Sequence, residues 1–384
     1  MRYRIAVVYA HALAVLAAAL ALAVATWAHY AYWSWRYREP SGEDELVFGE
    51  TSDGWRLALG HRRPRGTPRG PPVLLVHGIA ANRASLDFVL PRWSLAAFLA
   101  DAGFECFALD LRGHGASQRK EGAPRAWSFD DYLRLDVPAA LEAVRAATGA
   151  PRVLWVGHSQ GALLGMAACE AYPDRVAGLV ALAAPAFFGV LGPLRLAVRF
   201  GFLFTGKLNK FVARSLAPFA GYWHPPVSEV VINGRNLTRP VYRRVLVNVV
   251  ENISAGVLRQ FGRWITTDTF ASLDGAVDYR ALLGACLQPA LFVAAEADLI
   301  APPEVVVKEA SAWGGEVTVE RIGLASGACC DYGHSDLLFG RRAPEEVFAR
   351  VRDWLVAHAK PTALGAQPPE PPECAAGAAA GRTS

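Results

Sequence analysis

Val153-Leu154-Trp155-Val156-Gly157-His158-Ser159-Gln160-Gly161 is a β-type apolar run that breaks into Gly-x-Ser-x-Gly. Ala162-Leu163-Leu164-Gly165-Met166-Ala167-Ala168-Cys169-Glu170 follows, a small-residue stretch suited to a helix packed closely on a sheet. A strand, a sharp serine turn and a helix in that order make a nucleophile elbow. The turn holds the serine in a strained conformation, and the glycines two residues to either side let neighbouring chain pass close by. Gly-x-Ser-x-Gly alone recurs by chance, so the flanking strand and helix carry the reading.

Outward from the elbow, apolar runs of strand length recur at Val73–Val76, Cys106–Leu109, Leu179–Leu182 and Leu291–Ala294. Several are continuous rather than alternating, the mark of strands buried on both faces. Helical patterns lie between them, at Ser85–Ala100, at Asp130–Thr148 with a kink or restart at Pro138, and at Ala162–Ala171. A last one spans Pro344–Ala359, with Glu345 and Glu346 at its positive dipole end. Strands alternating with helices predict a mostly parallel sheet covered on both sides. From about Phe187 to Ala285, some hundred residues separate two strands, too long for an ordinary crossover. Phe187, Phe188, Phe200, Phe202, Phe204, Phe211, Phe219, Tyr222 and Trp223 are interspersed there with arginines, which predicts a helical insertion over the strand ends. There are no internal repeats. Residues 361–384 are low-complexity Ala/Pro/Gly, the composition of a disordered tail.

A serine hydroxyl needs a general base, and the base needs an orienting acid. On such a sheet they follow in the order Ser, Asp or Glu, His, on loops after later strands. The loop after Pro289–Ala295 carries Asp298 and, as a competing acid, Glu296; His334 lies in the glycine-flanked loop Tyr332-Gly333-His334-Ser335-Asp336. Ser159, Asp298 and His334 are therefore the catalytic candidates. Two backbone N–H groups must hold the oxyanion: that of Gln160, next to the serine, and that of Ile79, in the loop His77-Gly78-Ile79 after a strand. His77 reads as a loop organiser through its ring nitrogens, and Leu109–Ser117 as a structural turn. No carboxylate or histidine cluster has metal-ligand spacing, so neither metal nor cofactor is expected.

Ile5 to Trp27 is 23 residues without a formal charge, long enough to span the roughly 30 Å hydrocarbon core of a bilayer as a helix. Trp27, Tyr30, Tyr32, Trp33, Trp35 and Tyr37 follow as an interfacial aromatic belt. A cleaved signal sequence is the other reading, because Ala23-Val24-Ala25 has small residues in the right places. Arg2 and Arg4 are balanced by Arg36 and Arg38, so orientation stays open. Net charge is +4 with no basic block and no aromatic-basic strip, which excludes a nucleic-acid-binding chain. Six cysteines form no disulfide framework.

These residues together resemble an α/β-hydrolase, and within that superfamily the lysosomal/gastric acid-lipase group and its bacterial relatives. The resemblance rests on Glu50–Leu57 as an early hairpin, His77-Gly78, Asp136-Val137-Pro138-Ala139, the elbow, and Asn252–Gly256 through Trp264 in the cap. It spans residues 45 to 358, with Ile253-Ser254 and Val257 departing from the family's usual prolines and small polar residues. It implies an α/β-hydrolase fold with core segments 39–185 and 286–360, a cap at 186–285, and an anchor and belt at 1–38. The expected activity is a membrane-anchored lipase or esterase, cleaving lipid or other apolar acyl esters. If the N-terminal segment is cleaved, the protein is secreted or periplasmic. Acyl transfer or polyester metabolism on the same fold is the alternative, and a ligand-binding relative without catalysis a more distant one.

Overall fold

The computed structural model describes residues 2–189, 208–224 and 226–359. Its sheet is made of β1 (Glu45–Glu50), β2 (Trp55–Arg62), β3 (Val73–Val76), β4 (Cys106–Leu109), β5 (Gln118–Arg119), β6 (Val153–His158), β7 (Val176–Leu182), β8 (Ala290–Ala295) and β9 (Val317–Ile322). Every residue of β3, β4, β6 and β8 is buried, because helices cover both faces. Among the described residues the strands form one sheet in the order β1-β2-β4-β3-β6-β7-β8-β9, with β5 on β2. β2 runs antiparallel to its neighbours, and the strands from β4 to β9 are parallel. Chain order reverses between β3 and β6. That switch point opens a crevice at the carboxyl ends of the strands, where a parallel sheet puts its ligands.

The helices differ from expectation where proline intervenes. Ser85–Ala100 is not one helix. Pro91 has no N–H to donate, so the chain makes two 3₁₀ turns, Arg83–Ser85 and Pro91–Trp93, and starts again at α2 (Leu95–Asp101). Ser94 caps α2 by accepting the N–H of Ala97 at 2.9 Å, and its hydroxyl donates to Asp87. At Pro138 there is no break: a helical turn at Phe129–Asp131 and a π turn at Tyr132–Asp136 lead directly into α3 (Val137–Thr148). The wider turn absorbs the missing donor. α4 (Gln160–Ala171) follows the elbow and is buried from Gln160 to Cys169. The last helix likewise begins with a π turn, Pro344–Phe348, that precedes its regular part at residues 349–358.

The stretch between β7 and β8 contributes no strand to the sheet among its described residues; it carries α5 (Asn209–Leu216), α6 (Arg239–Asn248) and α7 (Ala255–Thr267). Phe200, Phe202 and Phe204 of the expected cap, and the tail from residue 360, lie outside the described residues. Trp264 of α7 is fully buried against Phe129 and Phe270. Asp130 pins the same region to the core, accepting from Gln260 Nε2 at 2.6 Å, Tyr279 Oη at 2.9 Å and the N–H of Leu273 at 2.8 Å. Two further helices are α8 (Pro303–Ala312) and α9 (Ala349–His358).

At the N-terminus α1 (Arg2–Tyr37) is a single helix, long and apolar enough to cross a membrane, and its apolar window is wholly exposed. Among the described residues, its last nine, from His29 to Tyr37, pack on the rest of the protein. Tyr37 is buried with Ala217 and Val247, and Asn248 Nδ2 donates to the Tyr37 carbonyl at 2.9 Å.

Candidate active site

Ser159 lies between β6 and α4 with φ 53° and ψ −118°, a conformation that side chains rarely adopt. Close packing enforces it. A Cβ on Gly161 would come within 2.0 Å of the Val76 carbonyl oxygen, and one on Gly157 within 2.3 Å of the Gly161 oxygen. Trp155 Nε1 donates to the Gly161 carbonyl at 2.9 Å, and the Ser159 N–H to the Leu182 carbonyl at 2.9 Å. Strand, turn and helix are thereby locked on either side of the hydroxyl.

Asp298, after β8, and His334, before the short helix Asp336–Phe339, meet at 2.8 Å between Oδ2 and Nδ1, both buried. The other Asp298 oxygen accepts from the N–H groups of Ile300 at 2.7 Å and Ala301 at 3.0 Å, so one carboxylate both caps the turn and orients the ring. Burial alone would push the Asp298 carboxyl up. The His334 imidazole and those two N–H groups outweigh burial and hold it below the usual carboxylate range. Glu296, the competing acid, accepts from Arg321 Nε and Nη2 at 2.7 and 2.8 Å and is not bonded to His334. His334 is tied to the elbow by His158, whose Nε2 donates to the His334 carbonyl at 3.0 Å. Burial, and then His334 itself, pushes His158 down to about 3, so its ring stays neutral and can keep that bond.

The loop after β3 approaches the same point. A Cβ on Gly78 would sit 3.2 Å from Ser159 Cβ, and Ile79 is the next residue. His77 organises this loop: Nε2 accepts the Leu111 N–H at 3.2 Å, which leaves the protonated Nδ1 to donate to the Gly78 carbonyl at 2.8 Å. Burial and His114 push His77 down to about 3. Gln160 stands in the first turn of α4, where N–H groups have no intrahelical acceptor and the dipole favours negative charge. Its side-chain amide is buried with neither polar atom hydrogen-bonded among the described residues.

Sequence reasoning did not single out the residues that knit these loops together. Asn82 donates to the Asn248 carbonyl at 2.9 Å and to Glu251 at 3.1 Å, and the Glu251 N–H donates to the Ala80 carbonyl at 2.8 Å. The loop after β3 is thus stitched to the insertion. Asp336 accepts from the N–H groups of Gly333 and Asn233 and from Asn236 Nδ2, fixing the His334 loop against the insertion as well. Its place two residues after a loop histidine was the available signal. Among the described residues no three His, Cys, Asp or Glu side chains cluster as a metal site would require. Cys329 and Cys330 form no disulfide; their sulfurs are 3.7 Å apart.

Strand direction locates this site. A surface hollow of about 920 Å³, lined by Pro71, Pro151, Pro289 and Glu316, lies at the opposite, amino ends of the strands.

The sheet order, the elbow and the Asp–His pair on successive loops define an α/β hydrolase fold. The family model described as alpha/beta hydrolase fold matches residues 71–326, two-thirds of the chain, and the protein belongs to that family. Among curated proteins it is similar to human lysosomal acid lipase/cholesteryl ester hydrolase, 34% identical over 155 residues, 38% of this chain and 37% of the relative. Human gastric triacylglycerol lipase is 32% identical over 154 residues, 37% of either chain. The chain therefore spans little more than a third of the length of these relatives. Among solved structures, an esterase from Thermogutta terrifontis superposes with a TM-score of 0.55 at 21% identity, covering 82% of this chain and 100% of that one.

Proposed function

We propose that the protein is a carboxylic ester hydrolase that cleaves lipid or other apolar acyl esters through an acyl-enzyme. Ser159 Oγ attacks the ester carbonyl while His334 takes its proton. The N–H groups of Ile79 and Gln160 receive the oxyanion, and Asp298 holds the ring and stabilises the imidazolium. Collapse of the tetrahedral intermediate expels the alcohol, protonated by His334. A water deprotonated by the same ring then releases the acid and restores the serine.

The observation that carries this reading is the buried 2.8 Å pair of Asp298 and His334, tied by His158 to the backbone beside a strained serine. An apolar substrate is favoured by the names of the curated lipases and by an N-terminal helix able to hold the enzyme at a membrane. The helix runs unbroken through Ala23–Ala25 and past Trp27, which favours a retained anchor over a cleaved signal.

Hydrolysis of p-nitrophenyl esters of graded acyl length tests the reading, alongside fluorophosphonate labelling. Wild-type protein should turn over the esters and take up the label, and Ser159→Ala should do neither. Absence of turnover at every chain length, or equal turnover by Ser159→Ala, refutes it.

A further inference from the structure

The insertion presents an apolar face to the outside beside the N-terminal helix. On α5, Phe211, Val212 and Leu216 are exposed together with the preceding Leu208, at helical spacings that make one stripe, while Ala213 is buried. The stripe continues into the turn beyond the helix, where Phe219 is 52%, Tyr222 67% and Trp223 61% exposed. An amphipathic helix that turns its apolar side outward has its partner elsewhere.

The position of the stripe says what that partner is. The Phe211 ring stacks on Tyr30 with centroids 5.1 Å apart, and Phe219 on His29 at 6.2 Å. Arg214 donates to the Tyr30 hydroxyl, and His29 Nε2 to the Ser215 carbonyl at 2.9 Å. Tyr30 is three residues beyond Trp27, the end of the apolar run, and so about 5 Å further along the helix axis. A headgroup layer is on the order of 5–8 Å deep. Phe211 and Phe219 therefore lie level with the headgroups on whichever side α1 leaves the bilayer.

Charge agrees. Residues 208–244 hold six cations and one acid, Glu229. Arg235 pairs with that acid, and Lys210 and Arg244 pair with Glu251 and Glu39 outside the stretch, which leaves Arg214, Arg239 and Arg243 without a carboxylate partner among the described residues. Arg239 and Arg243 lie over the Tyr222 ring at 4.2 and 5.3 Å, and among the described residues no carboxylate pairs with either. Rings at headgroup depth with cations beside them match a lipid surface bearing anionic headgroups.

We propose that the outer face of α5 and the turn through Trp223 dock on the bilayer surface beside the α1 span, so that the insertion rests on the membrane from which an apolar substrate would come. The proposal relies on α1 spanning the membrane, and its test separates the two. The full-length protein, with Cys329, Cys330 and Cys374 replaced by serine, is placed in nanodiscs of phosphatidylcholine and phosphatidylglycerol. An environment-sensitive fluorophore is attached at Leu16→Cys, Trp223→Cys or Leu287→Cys. Leu287 is 75% exposed at the opposite, amino end of β8.

Headgroup-region spin-labelled lipid should quench the probe at 223 at least threefold more than at 287, and deep-chain spin-labelled lipid should quench the probe at 16, midway along the apolar run. Equal quenching at 223 and 287, with 16 quenched, overturns the docking while leaving the span intact. A probe at 16 that deep lipid does not reach overturns the span and the docking with it. Shielding at 223 that rises with protein concentration and is insensitive to spin-labelled lipid assigns the stripe to a second copy, and overturns the proposal.

Discussion

Replacing Ser159 by glycine and by alanine separates the elbow's strain from its chemistry. At φ 53° and ψ −118° the serine occupies a region that any Cβ makes unfavourable, but for glycine it is the mirror image of ordinary extended backbone. Such strain costs about 1–3 kcal/mol. Alanine keeps the Cβ and hence the strain. Glycine removes it, while the greater freedom of the unfolded chain takes back about 0.4–1 kcal/mol. The net advantage of Ser159→Gly over Ser159→Ala is about 0.5–2 kcal/mol, or about 1–6 °C in midpoint for a chain of this size. Both variants should lack ester hydrolysis. The assay is thermal unfolding by scanning calorimetry, at one scan rate in one detergent. A midpoint for Ser159→Gly at or below that of Ser159→Ala would refute the claim that the packing of Gly157 and Gly161 imposes strain on residue 159.

Three further outcomes follow from the site. Asp298→Asn should lower kcat by about 10³–10⁴-fold with an unchanged circular dichroism spectrum, because an oxygen remains for Ile300 and Ala301; Glu296→Gln should stay within twofold of wild type, and the reverse pattern would make Glu296 the orienting acid. His158 is pushed down to about 3 in the fold against 6.5 when free, so between those values the unfolded chain binds the extra proton and stability falls as pH falls. Urea titrations of wild type and His158→Gln at pH 7.5 and 5.5 should show wild type losing about 1 kcal/mol more than the variant; equal losses would mean that the ring is already charged. Gln160→Met should leave the unfolding midpoint unchanged or raised, since the buried amide has no hydrogen bonds to lose, and a drop of several degrees would reveal a partner for it.

What could be read from the chain was set by how local its causes are. β3, β4, β6 and β8 were legible because burial on both faces demands uninterrupted apolar runs. β9 was not: it edges the sheet, alternates burial, and holds Thr318, Glu320 and Arg321 among its six residues. Ser159, Asp298 and His334 could be named because an elbow and two post-strand loops leave short signatures. The ties from Asn82, Glu251 and Asp336 to the insertion join residues about a hundred or more apart in the chain, and polar residues in loops give no sign of their partners.

The aromatic run after Trp27 shows how two causes can share one composition. As a belt it needs only rings at the right depth, whichever way they face. His29, Tyr30, Trp33 and Tyr37 recur at spacings that put them on one side of a helix, and that side is partly or fully buried against α5, α6 and the turn at Ala217–Phe219. Trp27, Tyr32 and Trp35 point away and remain exposed. Half of the belt is therefore an internal joint that holds the insertion at a fixed height on the helix, and half stays exposed. Composition alone cannot divide them, whereas the 3.6-residue period can.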